Sequence, residues 1–292
     1  MRNRFFVLGR IVPAAAALVL GAHGLAMAAD APAKPADLSA SGAAKGILSE
    51  SEFKALHQLT KVTAPPVRGE MIRIAGTSAY LSLPATGKPP FPAIVVIHEW
   101  WGLNDHIKHW ADRLAADGYA ALAVDLYGGR VANNPDSAMA YMKRVDQKRA
   151  TATLLAAHKF LAGDARVRAA RRASIGWCFG GGQSLRLAIA APDLDAAVMY
   201  YGFPVDDPKE LGKIKAHLLG IFGNKDQAIP PAAVDAFETT LVKADAAYQI
   251  RRYDAEHAFA NPSSARYDQA SATSAWNEVR AFLDEHLKNP HH

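Results

Sequence analysis

The stretch Ala173-Ser174-Ile175-Gly176-Trp177-Cys178-Phe179-Gly180-Gly181-Gly182 decides the fold. Ala173 to Ile175 reads as a short apolar strand and Phe179 to Ala190 as a helix, which puts Cys178 on the turn between them. A strand-to-helix turn this sharp strains the backbone of its central residue. Side chains two positions before and after must then be nearly absent, as they are at Gly176 and Gly180. The pattern is Gly-x-nucleophile-x-Gly with a thiol in the central place. At a helix N-terminus, unpaired N–H groups and the dipole favour a thiolate and any oxyanion formed from a substrate. A second reading makes Cys178 a small buried hydrophobe on a glycine-rich bend.

Outward from this turn the chain alternates strand and helix. Val67 to Ile74 and Ser78 to Leu83 read as a hairpin-like opening, and Ala93 to Ile97 as a strand buried on both faces. Asp105 to Asp117 follows as a helix with Ile107, Trp110 and Leu114 on one stripe and Gly118 as its stop. Ala120 to Val124 is a strand, Met139 to Leu161 a helical stretch, and Ala196 to Tyr200 and Leu218 to Phe222 further strands. Pro231 to Ala244 (helix), Tyr248 to Tyr253 (strand) and Ala270 to Leu287 (helix) complete the series. The order predicts an α/β class with a mostly parallel central sheet flanked by helices on both faces. Ligands of such sheets bind beyond the carboxyl ends of the strands.

Residues 1–28 are excluded from the fold. Arg2, Arg4 and Arg10 precede an apolar run, Ile11 to Leu20, and Ala26-Met27-Ala28 follows as a small-x-small cleavage signal. This is the form of a secretory signal peptide, and the run is too short for a membrane span of about 20 residues. Residues 29–66 read as a linker and N-terminal extension, poor in large apolar residues to about Lys45, with a short helix expected over Ser49 to Leu59 capped by Ser51. Residues 67–292 form the expected domain.

Removing the leader takes three arginines and no acids from a chain of net charge +5, leaving +2. With basic residues scattered rather than clustered, nucleic acid is not an expected partner, and neither is a membrane after signal cleavage. A small molecule is, for a monomer or small homo-oligomer outside the cytoplasm, in the periplasm. A lone cysteine builds no internal disulfide and no thiolate zinc site. No His-Glu-x-x-His is present, and the glycine triplet lacks the Lys and Ser/Thr ending of a phosphate loop, so no metal or cofactor is expected.

A thiol nucleophile for acyl transfer needs a base in reach and an acid to orient that base. Asp226 stands just past the strand Leu218 to Phe222, and His257 just past Tyr248 to Tyr253, in the chain order nucleophile, acid, histidine. Read singly, Asp226 is equally a helix cap and His257 a solvated loop residue. After the strand Ala93 to Ile97 comes His98-Glu99-Trp100-Trp101-Gly102, where a second oxyanion donor belongs, from the backbone of Glu99 or Trp100 beside that of Phe179. A carboxylate at Glu99 would tune the thiol, unless it simply faces water. Trp100, Trp101 and Trp177 are candidates to line an apolar pocket, or to be plain packing.

Taken together, Gly176-Trp177-Cys178-Phe179-Gly180-Gly181, Glu99-Trp100-Trp101-Gly102-Leu103-Asn104 and Asp125-Leu126-Tyr127-Gly128-Gly129 resemble the dienelactone hydrolase, or carboxymethylenebutenolidase, family, over roughly Val67 to Leu287. The resemblance implies an α/β-hydrolase fold, a Cys178-Asp226-His257 triad, and a Glu99 that contacts the resting thiol and is displaced as substrate binds. It implies hydrolysis of small esters or lactones through an acyl-thioester. Family members that degrade dienelactones grip the substrate carboxylate with two arginines. Here one of those positions is Asn261 and the other a glycine with Arg130 nearby, so both residues are substrate-binding candidates without a matching clamp. The rival expectation is a non-catalytic ligand-binding protein on the same scaffold.

Overall fold

A computed structural model describes residues 67–289. The leader, the linker and the helix expected over Ser49 to Leu59 lie outside the described residues. Among the described residues no helix is long and apolar enough to cross a membrane.

The strands are β1 (Glu70–Ile74), β2 (Thr77–Ser82), β3 (Ala93–Ile97), β4 (Ala120–Val124), β5 (Arg172–Trp177), β6 (Ala196–Tyr200), β7 (His217–Gly223) and β8 (Tyr248–Tyr253). They form one sheet in the order β1-β2-β4-β3-β5-β6-β7-β8. β1 pairs antiparallel with β2, and β2 with β4; every later pairing is parallel. From β3 the chain moves outward to β4 and then back across to β5. The strand order therefore reverses between β3 and β5, and a crevice opens at their carboxyl ends, where this class of sheet binds ligands.

The helices are α1 (Asp105–Ala116), α2 (Pro135–Lys143), α3 (Gln147–Gly163), α4 (Phe179–Ala190), the single turn α5 (Pro208–Leu211), α6 (Pro231–Lys243) and α7 (Gln269–Leu283). They cover both faces because each buried strand points alternate residues to opposite sides. Ile94 and Val96 of β3 join a cluster with Ile107, Trp110 and Leu114 of α1 and Trp276 and Val279 of α7. Val95 and Ile97 join the other, with Leu154 of α3, Leu185 of α4 and Phe237 of α6.

Two elements differ from the sequence reading. The single helix expected over Met139 to Leu161 is two helices, since Asn134 caps α2 through the Ser137 N–H, and Asp146 starts α3 by accepting from the Arg149 N–H. The last helix, expected to reach Leu287, is α-helical only to Leu283 and continues as a π turn over Asp284–Lys288.

Candidate active site

Cys178 begins α4 with φ 53° and ψ −117°, a left-handed conformation that a residue with a Cβ holds only where its surroundings impose it. The surroundings are main chain. A Cβ on Gly176 would collide with the carbonyl of Gly180, and one on Gly180 would lie 2.5 Å from the His98 carbonyl and against that of Ile97. On the other side a Cβ on Gly181 would lie 2.5 Å from the Tyr200 carbonyl, while the Cys178 N–H donates to that same oxygen at 3.0 Å. The turn is thus wedged between the ends of β3 and β6. The Phe179 N–H reaches the sulfur.

β7 and β8 carry the next two residues. Their loops are joined by the Asn224 N–H donating to the Tyr253 carbonyl at 2.7 Å and the Lys225 N–H to Ala255 at 3.0 Å. This brings His257 Nδ1 to 2.7 Å from Asp226 Oδ2. Asp226 Oδ1 accepts from the Ala228 and Ile229 N–H groups at 2.8 and 3.0 Å. Burial would raise this carboxyl, but the hydrogen bonds from His257, Ile229 and Ala228 outweigh it and hold it below the ordinary carboxylate range. An ionised Asp226 keeps the proton of His257 on Nδ1 and leaves Nε2 as the nitrogen with a free lone pair. The ring also packs on Tyr201, centroids 5.1 Å apart.

Beyond β3, His98 accepts the Leu126 N–H at Nε2, at 3.1 Å, so its proton sits on Nδ1, which donates to the Glu99 carbonyl at 2.5 Å. Burial depresses the pKa of this imidazole and keeps it neutral. His98 thereby fixes the backbone at Glu99. The Glu99 side chain is buried and accepts from Asn261 Nδ2 at 2.5 Å; burial pushes its carboxyl up to about 7 against that hydrogen bond. Burial, and then the neighbouring Glu99 carboxylate, push the Cys178 thiol up to about 12, opposed by the Phe179 N–H and by the charge of Arg266. At neutral pH Cys178 rests as a thiol.

Cys178, His257, Glu99 and Asn261 share a cavity of about 740 Å³. Its apolar wall is built by Trp100 and Trp101, packed edge to face at 5.1 Å, with Pro135, Met139 and Met142 of α2 and Phe203. Lys225, Glu256 and Arg266 stand on the polar side. Among the described residues no cluster of side chains is suited to a metal ion.

The structure thus gathers Cys178, His257, Glu99, Trp100, Trp101 and Asn261 around one space, with Asp226 behind His257 and Phe179 behind Cys178. Two candidates lie elsewhere. Trp177 is buried, 1% exposed, between Trp110 and Tyr200 at 4.7 and 5.7 Å, because it shares the strand face of Ala173 and Ile175 and points into the core. Arg130 lies over the Tyr141 ring at 5.8 Å and lines a different groove on the far side of α2. The sequence reading missed Arg266, nine residues past His257 in a loop without a motif. It also missed Phe203 and Tyr201, although both follow the carboxyl end of β6, the edge at which such sites form.

Comparison with known proteins agrees with this geometry. The model of the dienelactone hydrolase family matches residues 77–287. A Saccharolobus solfataricus protein named as a carboxymethylenebutenolidase is 30% identical over 236 residues, 68% of this chain and 91% of its own. Protein usf of Aquifex pyrophilus is 34% identical over 213 residues, 70% of this chain and 92% of its own. A Klebsiella pneumoniae structure described as a dienelactone hydrolase superposes with a TM-score of 0.62 at 28% identity, over 71% of this chain and 92% of that one. With a Gly-x-Cys-x-Gly turn at the switch point of an eight-stranded sheet and a family match over most of its length, the chain belongs to the dienelactone hydrolase family of α/β-hydrolases.

Proposed function

We propose that the protein is an exported hydrolase of small esters or lactones that uses Cys178 as nucleophile, His257 as base and Asp226 as the group that orients it. The observation that carries this reading is Cys178 in a left-handed conformation at the start of α4, in the same cavity as a histidine already held by a buried carboxylate. The resting thiol is neutral. Entry of substrate displaces Glu99 from the thiol, and His257 Nε2 takes its proton. The sulfur bonds to the carbonyl carbon, and the oxyanion is met by the Phe179 N–H and a backbone N–H at Glu99 or Trp100. The C–O bond then breaks, with the proton passing from His257 to the leaving alcohol. Water, deprotonated by His257, adds to the thioester, the C–S bond breaks, and the proton returns to sulfur. No step calls for a cofactor.

The neutral thiol also suits a protein that binds ligands without turning them over, in which Trp100, Trp101 and Phe203 would be the recognition surface. Hydrolysis separates the two. The purified protein should cleave p-nitrophenyl acetate, and Cys178→Ala should abolish this; full activity in the variant discards the scheme. Export follows from residues 1–28 and is tested by the N-terminus of the protein recovered from the periplasm, expected just after Ala28.

A further inference from the structure

A second concavity, of about 390 Å³, shares no lining residue with the catalytic cavity. It is framed by the β1–β2 turn, the Asp125–Arg130 loop after β4, and the passage from α2 to α3. α2 is the partition. Pro135, Met139 and Met142, spaced four and three apart, face the catalytic cavity, while Tyr141 faces the groove.

Four arginines converge here from separate elements: Arg73 from β1, Arg130 from the loop, Arg144 from the end of α2 and Arg149 from the first turn of α3. Among the described residues none of the four pairs with a carboxylate, whereas Arg166, Arg171, Arg172, Arg251 and Arg252 each do. The two acids of the groove are engaged by the main chain. Asp125 accepts the N–H groups of Tyr127 and Gly129, and Asp146 accepts that of Arg149. α3, 17 residues long, begins at the groove, its first turn capped by the Asp146 carboxylate. Two guanidinium groups are already placed, Arg73 by the Gly76 carbonyl at 2.8 Å and Arg130 by the Tyr141 ring. Four guanidinium groups against two carboxylates leave the groove with an excess of positive charge, and the planar fork of arginine matches carboxylate and phosphate oxygens.

We propose that this groove binds a small multivalent oxyanion, phosphate- or carboxylate-based, at a site separate from the catalytic cavity. A volume near the lower end of ligand pockets, roughly 300 to 1,000 Å³, suits a small molecule rather than a polymer.

The test is calorimetric titration of the purified full chain with inorganic pyrophosphate and, separately, with citrate at low ionic strength. Saturable binding of either probe is expected, weakened at least tenfold by Arg144→Gln/Arg149→Gln, weakened again by added salt, and unchanged in Cys178→Ala. Binding of pyrophosphate alone assigns phosphate chemistry, and of citrate alone carboxylate chemistry. No saturable binding of either probe, or equal affinity in the double variant, overturns the proposal. Should the double variant lose its cooperative thermal unfolding, Arg73→Gln takes its place under the same criterion. Because the readout is binding, the result stands whether or not the chain hydrolyses esters.

Discussion

Asn261 donates a hydrogen bond to Glu99 Oε2 across 2.5 Å, joining residues 162 positions apart in the chain. The same amide accepts the Ser263 N–H at 2.8 Å, so it is held from both ends. A neutral donor steadies the carboxylate near Cys178 only partly, and burial still dominates Glu99. A guanidinium at this place would favour the ionised form much more strongly.

Replacing the amide should therefore move a titration. In Asn261→Ala burial acts unopposed, and the inflection of kcat/KM that belongs to Glu99 should move above its position near 7; in Asn261→Arg it should move below. The pH profile of ester hydrolysis in the three proteins checks this, and identical inflections would uncouple the two side chains.

Glu99 also makes stability depend on pH. Its carboxyl titrates near 7 when folded against 4.5 for the ordinary group, so the folded state holds the extra proton between those values and loses stability as pH rises through that window. Glu99→Gln cannot ionise and should gain on the parent from pH 5 to pH 8, by up to about 3 kcal/mol. Urea unfolding at both pH values measures the difference; a gap that narrows with pH contradicts the assignment.

Asp226→Asn tests the orientation of the base. The amide oxygen can still accept from Ala228 and Ile229, but its NH₂ group would face His257 Nδ1 and draw the proton to Nε2, the wrong tautomer for a base. A loss of about 10³- to 10⁴-fold in kcat is expected, by analogy with triads of this type, with folding retained. Activity within tenfold of the parent would leave Asp226 a structural cap.

Backbone strain at Cys178 predicts an inversion of the usual ranking. Glycine normally destabilises an ordered element by about 0.5–1 kcal/mol relative to alanine. At φ 53° the ranking should reverse, with Cys178→Gly more stable than Cys178→Ala by about 1–3 kcal/mol and both inactive. Thermal unfolding of the pair decides it.

Much of this was legible before any coordinates. β3, β4 and β6 are unbroken apolar runs because they are buried on both faces, and Cys178, Asp226 and His257 each follow a strand. What escaped was side-chain direction and breaks in helices. Trp177 lies one residue from Cys178, yet the two-residue period of β5 turns it into the core with Ile175. The break before α3 was marked only by Asp146, whose role depends on the angle at which the chain enters the helix. Arg130 and Arg266 are loop residues, and no periodicity says on which side of α2 a loop residue will lie.

The glycines of the Cys178 turn meet main-chain atoms at the ends of β3 and β6, which leave no room for a side chain there. The position of the sulfur and the shape of the cavity wall are thereby set by different parts of the chain. Substitutions at Trp101, Met139 or Phe203 can therefore reshape the cavity while leaving the sulfur where it is.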